Sequence, residues 1–349
     1  MVTADEVVRR LEELWPENKA KGLLAQIRFR SKMRSGDLSS YGNKKFFEGC
    51  WLLAPKREDF FRFRFCFFVH GCAVDAASLC DELEPASLMD RDWQFHMVAG
   101  FLRKAGMGVF YAVPSGNPLA PEWRIYRYKE ERLLAVNADD FFSSWPGNGR
   151  PSGGRGWSET LRKEFLELSV GDLLSMLLNE LFYTDFVKKR MKKPVSDPYD
   201  VDGFLLSYGG AVLPVEIKEK FPAPSQLGSF FGIDAGRLLM LLRLCLPNDS
   251  NAVYLIREVG EKDRTFVGWK FMLLSEIIVT ASWNLQRGGR GMGGQETQTV
   301  RLPYSCFRKF DAGFLSEEGM EAVKNLPDEI KRMASEFGRS LKKLAGAGG

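Results

Sequence analysis

Near the middle of the chain, residues 200–220 read DVDGFLLSYGGAVLPVEIKEK. Two apolar runs flank Gly209-Gly210. The first opens on Asp200 and Asp202, and the second closes on Glu216-Ile217-Lys218. A Gly-Gly turn sends a strand back antiparallel on its predecessor, so the far end of the second run returns beside Asp202. Glu216 and Lys218 are two apart and share one face of a strand. Asp202, Glu216 and Lys218 are therefore expected to meet. Two carboxylates and a backbone carbonyl make an oxygen donor set for a hard cation such as Mg²⁺ or Mn²⁺. Such an ion polarises a phosphate oxygen and acidifies a bound water. A lysine beside it orients that water or offsets charge growing on the phosphorane. The chemistry this spacing points to is phosphodiester hydrolysis. Asp200 competes with Asp202 as the ligand, because strand register decides which of them faces the site.

The elements that must position these residues follow from periodicity. VGDLLSMLLNELFYTDFVKKRM carries Leu173, Leu174, Leu177, Leu178 and Leu181 at helical spacing and predicts a helix over 171–192. Strands are expected at 201–208 and 211–219, an apolar helix at 232–246 and a strand at 251–258. Upstream, a helix is predicted at 1–15, with another at 91–104 and short strands in 107–116 and 122–129. FFRFRFCFFVHG (60–71) alternates Phe61, Phe63 and Phe65 with Arg62 and Arg64, the pattern of a strand with one apolar and one basic face. WPGNGRPSGGRGW (145–157) is rich in Gly and Pro and marks a linker. The expected organisation is an α+β domain over 1–145, a linker at 146–157 and a second domain over 158–349. Past the hairpin, Asp234 is expected to cap the following helix, with Arg237 either a phosphate contact or a surface charge.

DVDGFLL followed by PVEIK, with a Glu-bearing helix before it and an apolar helix after it, resembles the PD-(D/E)XK nuclease superfamily. That resemblance covers roughly residues 178–258. It implies a restriction-endonuclease-like core, a mixed sheet flanked by helices, in the C-terminal half. Asp202 matches the family's lone Asp, Glu216-Ile217-Lys218 its E-x-K, and Glu180 the extra acid on the preceding helix. The resemblance makes Glu180, Asp202, Glu216 and the Ile217 carbonyl the metal ligands and Lys218 the assistant of the attacking water. The family's proline is replaced by Val201 here. Cleavage of double-stranded DNA as a restriction or related defence endonuclease is the role it implies, with a homodimer by analogy. A repair, recombination or CRISPR-linked effector nuclease is the alternative. A non-catalytic nucleic-acid-binding protein with the same fold is the other.

Other stretches add candidate nucleic-acid contacts. KAKGLLAQIRFRSKMRSG (19–36) has six cations and no acid until Asp37. Interleaved aromatics there and in 41–47 suit phosphate contact and stacking. Arg28, Arg30, Arg62 and Arg64 are the candidates, together with Arg237 and, in the Gly-rich RGGRGMGG loop, Arg287 and Arg290. That loop lacks the ending of a P-loop. Cys66, His70, Cys72 and Cys80 match no common zinc spacing. With two histidines in 349 residues, His-based hydrolytic sites have little to draw on. A net charge of +4 permits a nucleic-acid partner without demanding one. No apolar run reaches the ~18 residues of a membrane span, the N-terminus lacks the apolar core of a signal peptide, and a cytoplasmic protein with mostly reduced cysteines is expected.

Overall fold

A computed structural model of the chain describes residues 2–35, 38, 45–53, 65–71, 92–142, 156–190, 199–226, 228–287, 298–334 and 336. The protein is mixed α/β and forms two compact units. The first comprises Met1–Phe204 with Ile217–Glu219, and the second Leu205–Glu216 with Lys220–Gly349.

In the first unit, Thr3 opens helix α1 (Ala4–Leu14) with a capping box: its hydroxyl accepts from the Glu6 N–H while the Glu6 carboxylate accepts from the Thr3 N–H. Val7, Val8, Leu11 and Leu14 form the buried stripe. The basic stretch becomes helix α2 (Glu17–Ser35), whose Leu23, Leu24 and Ile27 are buried. Strands β1 (Phe46–Leu53) and β2 (Phe65–Val69) pair antiparallel. Helix α3 (Trp93–Lys104) then lies in the crossover to β3 (Gly108–Ser115), which pairs parallel with β2. Parallel neighbours need such a crossover, because no tight turn can join them. β4 (Glu122–Lys129) and β5 (Arg132–Val136) follow as antiparallel neighbours. Helices α4 (Ala138–Phe142), α5 (Glu159–Leu166) and α6 (Val170–Leu181) come next, and α6 runs into a π-helical stretch, Phe182–Arg190. Strand β6 (Tyr199–Leu206) closes the set, giving the order β6-β1-β2-β3-β4-β5.

Alternation along the strands fills both faces of this sheet. Trp51, Phe67 and Phe110 face one way and share a core with Leu11 of α1, Leu23 of α2, Phe165 of α5 and Leu177 of α6. Phe68 and Tyr111 face the other way, onto Phe95 of α3, and Phe101 of α3 meets Phe204. Cys66, Phe67, Phe68 and Val69 are all buried, so the described part of β2 has two apolar faces rather than one apolar and one basic. The parallel β2–β3 pair explains this, since strands covered on both sides read as continuous apolar runs. Arg62, Arg64 and most of the expected linker lie outside the described residues. The division into units does not fall at 146–157: α5 and α6 belong to the first unit because Leu161, Phe165, Leu173 and Leu177 complete its core.

Strand β7 (Val212–Lys220) is split between the units, as is β6. In the second unit the turn joining them is closed by Ser207, whose N–H donates to the Ala211 carbonyl and whose hydroxyl accepts from the Ala211 N–H. Gly210 holds φ +89°, a conformation that glycine adopts without steric cost. Further strands are β8 (Ala223–Ser225), β9 (Gly228–Asp234), β10 (Val253–Val259), β11 (Phe266–Leu273), β12 (Ser282–Arg287), β13 (Gln298–Pro303) and β14 (Arg308–Lys309). They arrange as β14-β11-β10-β7 and as a separate sheet β12-β13-β9-β8. Helices α7 (Ala235–Cys245), α8 (Leu274–Thr280), α9 (Ala312–Leu315) and α10 (Glu317–Val323) belong to the same unit. The helix expected at 232–246 begins at Ala235, because 230–234 pair with β13. Among the described residues no helix is long and apolar enough to cross a membrane.

Candidate functional site

The hairpin delivers Lys218 to Asp202. Within the first unit, Lys218 Nζ lies 3.6 Å from Asp202 Oδ2, and the Ile217 N–H donates to the same oxygen at 2.6 Å. The other oxygen, Oδ1, accepts from Gln26 Nε2 of α2 at 2.6 Å. The Asp202 side chain is 1% exposed and that of Lys218 34%, so the carboxylate is fixed and the ammonium reaches solvent. Glycine makes this approach of β1 to β6 feasible. A Cβ at Gly49 would overlap the Val201 carbonyl oxygen, and one at Gly203 the Phe46 ring.

Asp200 and Asp202 are two apart on β6 and therefore share a face; both line a small polar cavity of about 40 Å³ with Gln26, Arg30, Glu48 and Ser175. Register does not choose between them, and both belong to the site. Glu180 comes from the last turn of α6, which Trp51 anchors by donating from its indole Nε1 to the Asn179 carbonyl at 2.9 Å.

The charge balance among these acids is supplied by a residue that the sequence marks only as part of a basic run. Lys19 Nζ of α2 is 3.1 Å from Asp200 Oδ2 and 3.9 Å from Glu180 Oε1. Burial disfavours the Lys19 charge, but Asp200, Glu180 and Asp202 outweigh it and hold the ammonium above the ordinary lysine range. Burial pushes Glu180 up to about 7, with Lys19 opposing and Asp200 reinforcing the shift. The available signal was helical spacing: Lys19, Gln26 and Arg30 recur along one stripe of α2.

The donor set fits a hard divalent cation in kind, since all three acids offer carboxylate oxygen and the Glu180 side chain is wholly buried with Oε2 unsatisfied among the described residues. As arranged, no three His, Cys, Asp or Glu side chains among the described residues converge as metal ligands, and positive charge already stands among the acids, Lys19 beside Asp200 and Glu180 and Lys218 beside Asp202.

Glu216 belongs to the second unit. It is fully buried, and Arg237 Nε stands 3.1 Å from its Oε1. Arg237 is thus committed to a buried ion pair rather than standing as a surface charge. Asp234 caps α7 as expected, accepting from Gly236 and Arg237 N–H. Three arginines of α2 also meet acids. Arg28 is 3.4 Å from Glu167, Arg30 is 3.3 Å from Glu48 and bonded to Ser175, and Arg34 is 3.3 Å from Glu48. The charge run of the sequence is therefore an ion-paired face. Arg287 ends β12, its side chain outside the description; Arg290, Cys72 and Cys80 lie outside the described residues. Cys66 is a buried free thiol and His70 Nδ1 pairs with the Tyr111 hydroxyl at 2.6 Å.

No family model matches the chain, and neither a curated protein nor a solved structure shows significant similarity to it.

Proposed function

We propose that the chain is a metal-dependent nuclease that hydrolyses phosphodiester bonds in DNA. The observation that carries this reading is the hairpin geometry: the lone Asp202 and the lysine of E-x-K stand 3.6 Å apart, with the intervening Ile217 N–H bonded to the same carboxylate. Glu180 and Asp202 would hold Mg²⁺ or Mn²⁺, and the sequence resemblance adds Glu216 and the Ile217 carbonyl. The ion supplies Lewis-acid polarisation of the phosphate and a more acidic water. Gln26 and the Ile217 N–H fix the Asp202 carboxylate. Lys218, a third exposed, stands where it can hold a phosphate oxygen or orient water.

The test is cleavage of plasmid, single-stranded DNA and RNA with Mg²⁺ or Mn²⁺ by wild type and Lys218→Ala. Discrete fragments that vanish in the variant support a sequence-specific endonuclease. Smearing that vanishes supports a non-specific effector or repair nuclease. Absence of cleavage by the folded wild type across metals and substrates overturns the reading. A nucleic-acid-binding protein without turnover is the second reading, favoured by Lys19 already balancing the acids. Under it, binding would weaken with salt and need no divalent ion.

A further inference from the structure

The Lys19 ammonium is held as a bound cation would be. Asp200 Oδ2 is at 3.1 Å and Glu180 Oε1 at 3.9 Å, and the rings of Trp15 and Trp51 lie with centroids 5.6 and 5.5 Å away. Two carboxylates and two aromatic faces around one ammonium form a cation cage. Glu180 Oε2, in a wholly buried side chain, makes no well-formed hydrogen bond among the described residues, and the Trp15 indole bears on the carboxylate only weakly. Such an orphaned oxygen is costly unless some state of the protein satisfies it. Lys19 fills the cage but leaves that oxygen unsatisfied.

We infer that Lys19 is an exchangeable resident cation. Glu180, Asp200 and Asp202 form one anionic cluster, balanced either by the Lys19 ammonium or by a divalent cation, and Asp200 is a ligand beside Asp202 in the second state. This rests on the metal-dependent reading above and adds to it an internal competitor and a ligand. The physical reason is exclusion: two cations cannot share a buried site a few ångströms wide without strong repulsion. The lysine can leave because its stem is flexible and 27% of its side-chain surface is already exposed. Arginine, broader and more strongly committed to carboxylates, would leave less readily. The device keeps the acids compensated, and the fold intact, while the divalent ion is absent.

The experiment is a Mn²⁺ titration of the full chain, with free Mn²⁺ read by electron paramagnetic resonance. Wild type is compared with Lys19→Met, Lys19→Arg, Asp202→Asn and Lys19→Met combined with Asp200→Asn. The expected result is Mn²⁺ affinity at least about tenfold higher in Lys19→Met, no gain in Lys19→Arg, and loss of the gain when Asp200→Asn is added. Equal affinity in wild type and Lys19→Met, abolished by Asp202→Asn, overturns the exchange while leaving the nuclease reading intact. Mn²⁺ bound by neither overturns both. Should Lys19→Met unfold by circular dichroism, the comparison is made between Glu180→Gln and Glu180→Gln/Lys19→Met, where one fewer carboxylate offsets the lost ammonium. A gain there supports the exchange, and equal affinity overturns it.

Discussion

The backbone N–H of Ile217 donates to Oδ2 of Asp202 at 2.6 Å, joining β7 to β6 through a side chain. The same oxygen faces Lys218 Nζ, and its partner oxygen takes the Gln26 amide. Asp202 is therefore both a candidate ligand and a structural clasp, and its replacement has two separable consequences.

Asp202→Asn keeps the shape but sets an amide nitrogen against a donor and removes the charge facing Lys218. The expected result is a loss of about 1–3 kcal/mol in stability, read from the urea midpoint, together with loss of cleavage. Lys218→Ala, which removes a partly exposed ammonium while the Ile217 and Gln26 hydrogen bonds to Asp202 remain, is expected to abolish cleavage at a smaller cost in stability than Asp202→Asn. Equal destabilisation by the two substitutions would contradict this assignment.

Glu180 gives stability a pH dependence of definite sign. Its folded pKa is raised to about 7 from an ordinary 4.5, chiefly by burial. A carboxyl with a raised folded pKa binds its proton more tightly in the native state, so its contribution falls as pH rises from about 4.5 to about 7 and then levels off. The effect is a few kcal/mol at most, at roughly 1.4 kcal/mol per pKa unit. Lys19, shifted upward, contributes throughout this window and loses its effect only in strong alkali. Glu180→Gln is expected to flatten the decline between pH 4.5 and 7 in thermal denaturation. An unchanged slope would show that Glu180 is ionised throughout.

Arg237→Met would leave the fully buried Glu216 without the guanidinium 3.1 Å away. Breaking a buried pair on one side costs about 3–5 kcal/mol. Urea unfolding should show that loss, and Arg237→Met/Glu216→Gln should recover much of it. Failure of the double variant to recover would mean that Arg237 acts through packing instead.

Gly49→Ala tests the close approach of β1 to β6. The new methyl would overlap the Val201 carbonyl oxygen, and overpacking against backbone costs about 1–3 kcal/mol or more. Gly22→Ala in α2 meets nothing within 4 Å and should stabilise by about 0.5–1 kcal/mol, since alanine loses less entropy in a helix. Thermal midpoints moving in opposite directions would bear this out; two downward shifts would not.

The sequence by itself determined the hairpin and the meeting of Asp202 with Lys218. A Gly-Gly turn, period-2 alternation and a two-residue offset are local rules that hold wherever the strands lie. It also placed Glu180 on a helix, Asp234 at a helix cap, and α1, α3, β3 and β4, each within a few residues. What the tertiary structure decided is the electrostatic partner of each group. Lys19 among Glu180 and Asp200, Gln26 on Asp202 and Arg237 on Glu216 join residues from different elements. In the sequence Lys19 is one cation in a basic run, and nothing local distinguishes it from Lys21, which pairs with Glu17 one turn back. The place of α5 and α6 in the first unit was equally hidden, because a Gly/Pro-rich stretch marks where a chain can bend, whereas only shared burial determines which core a helix completes.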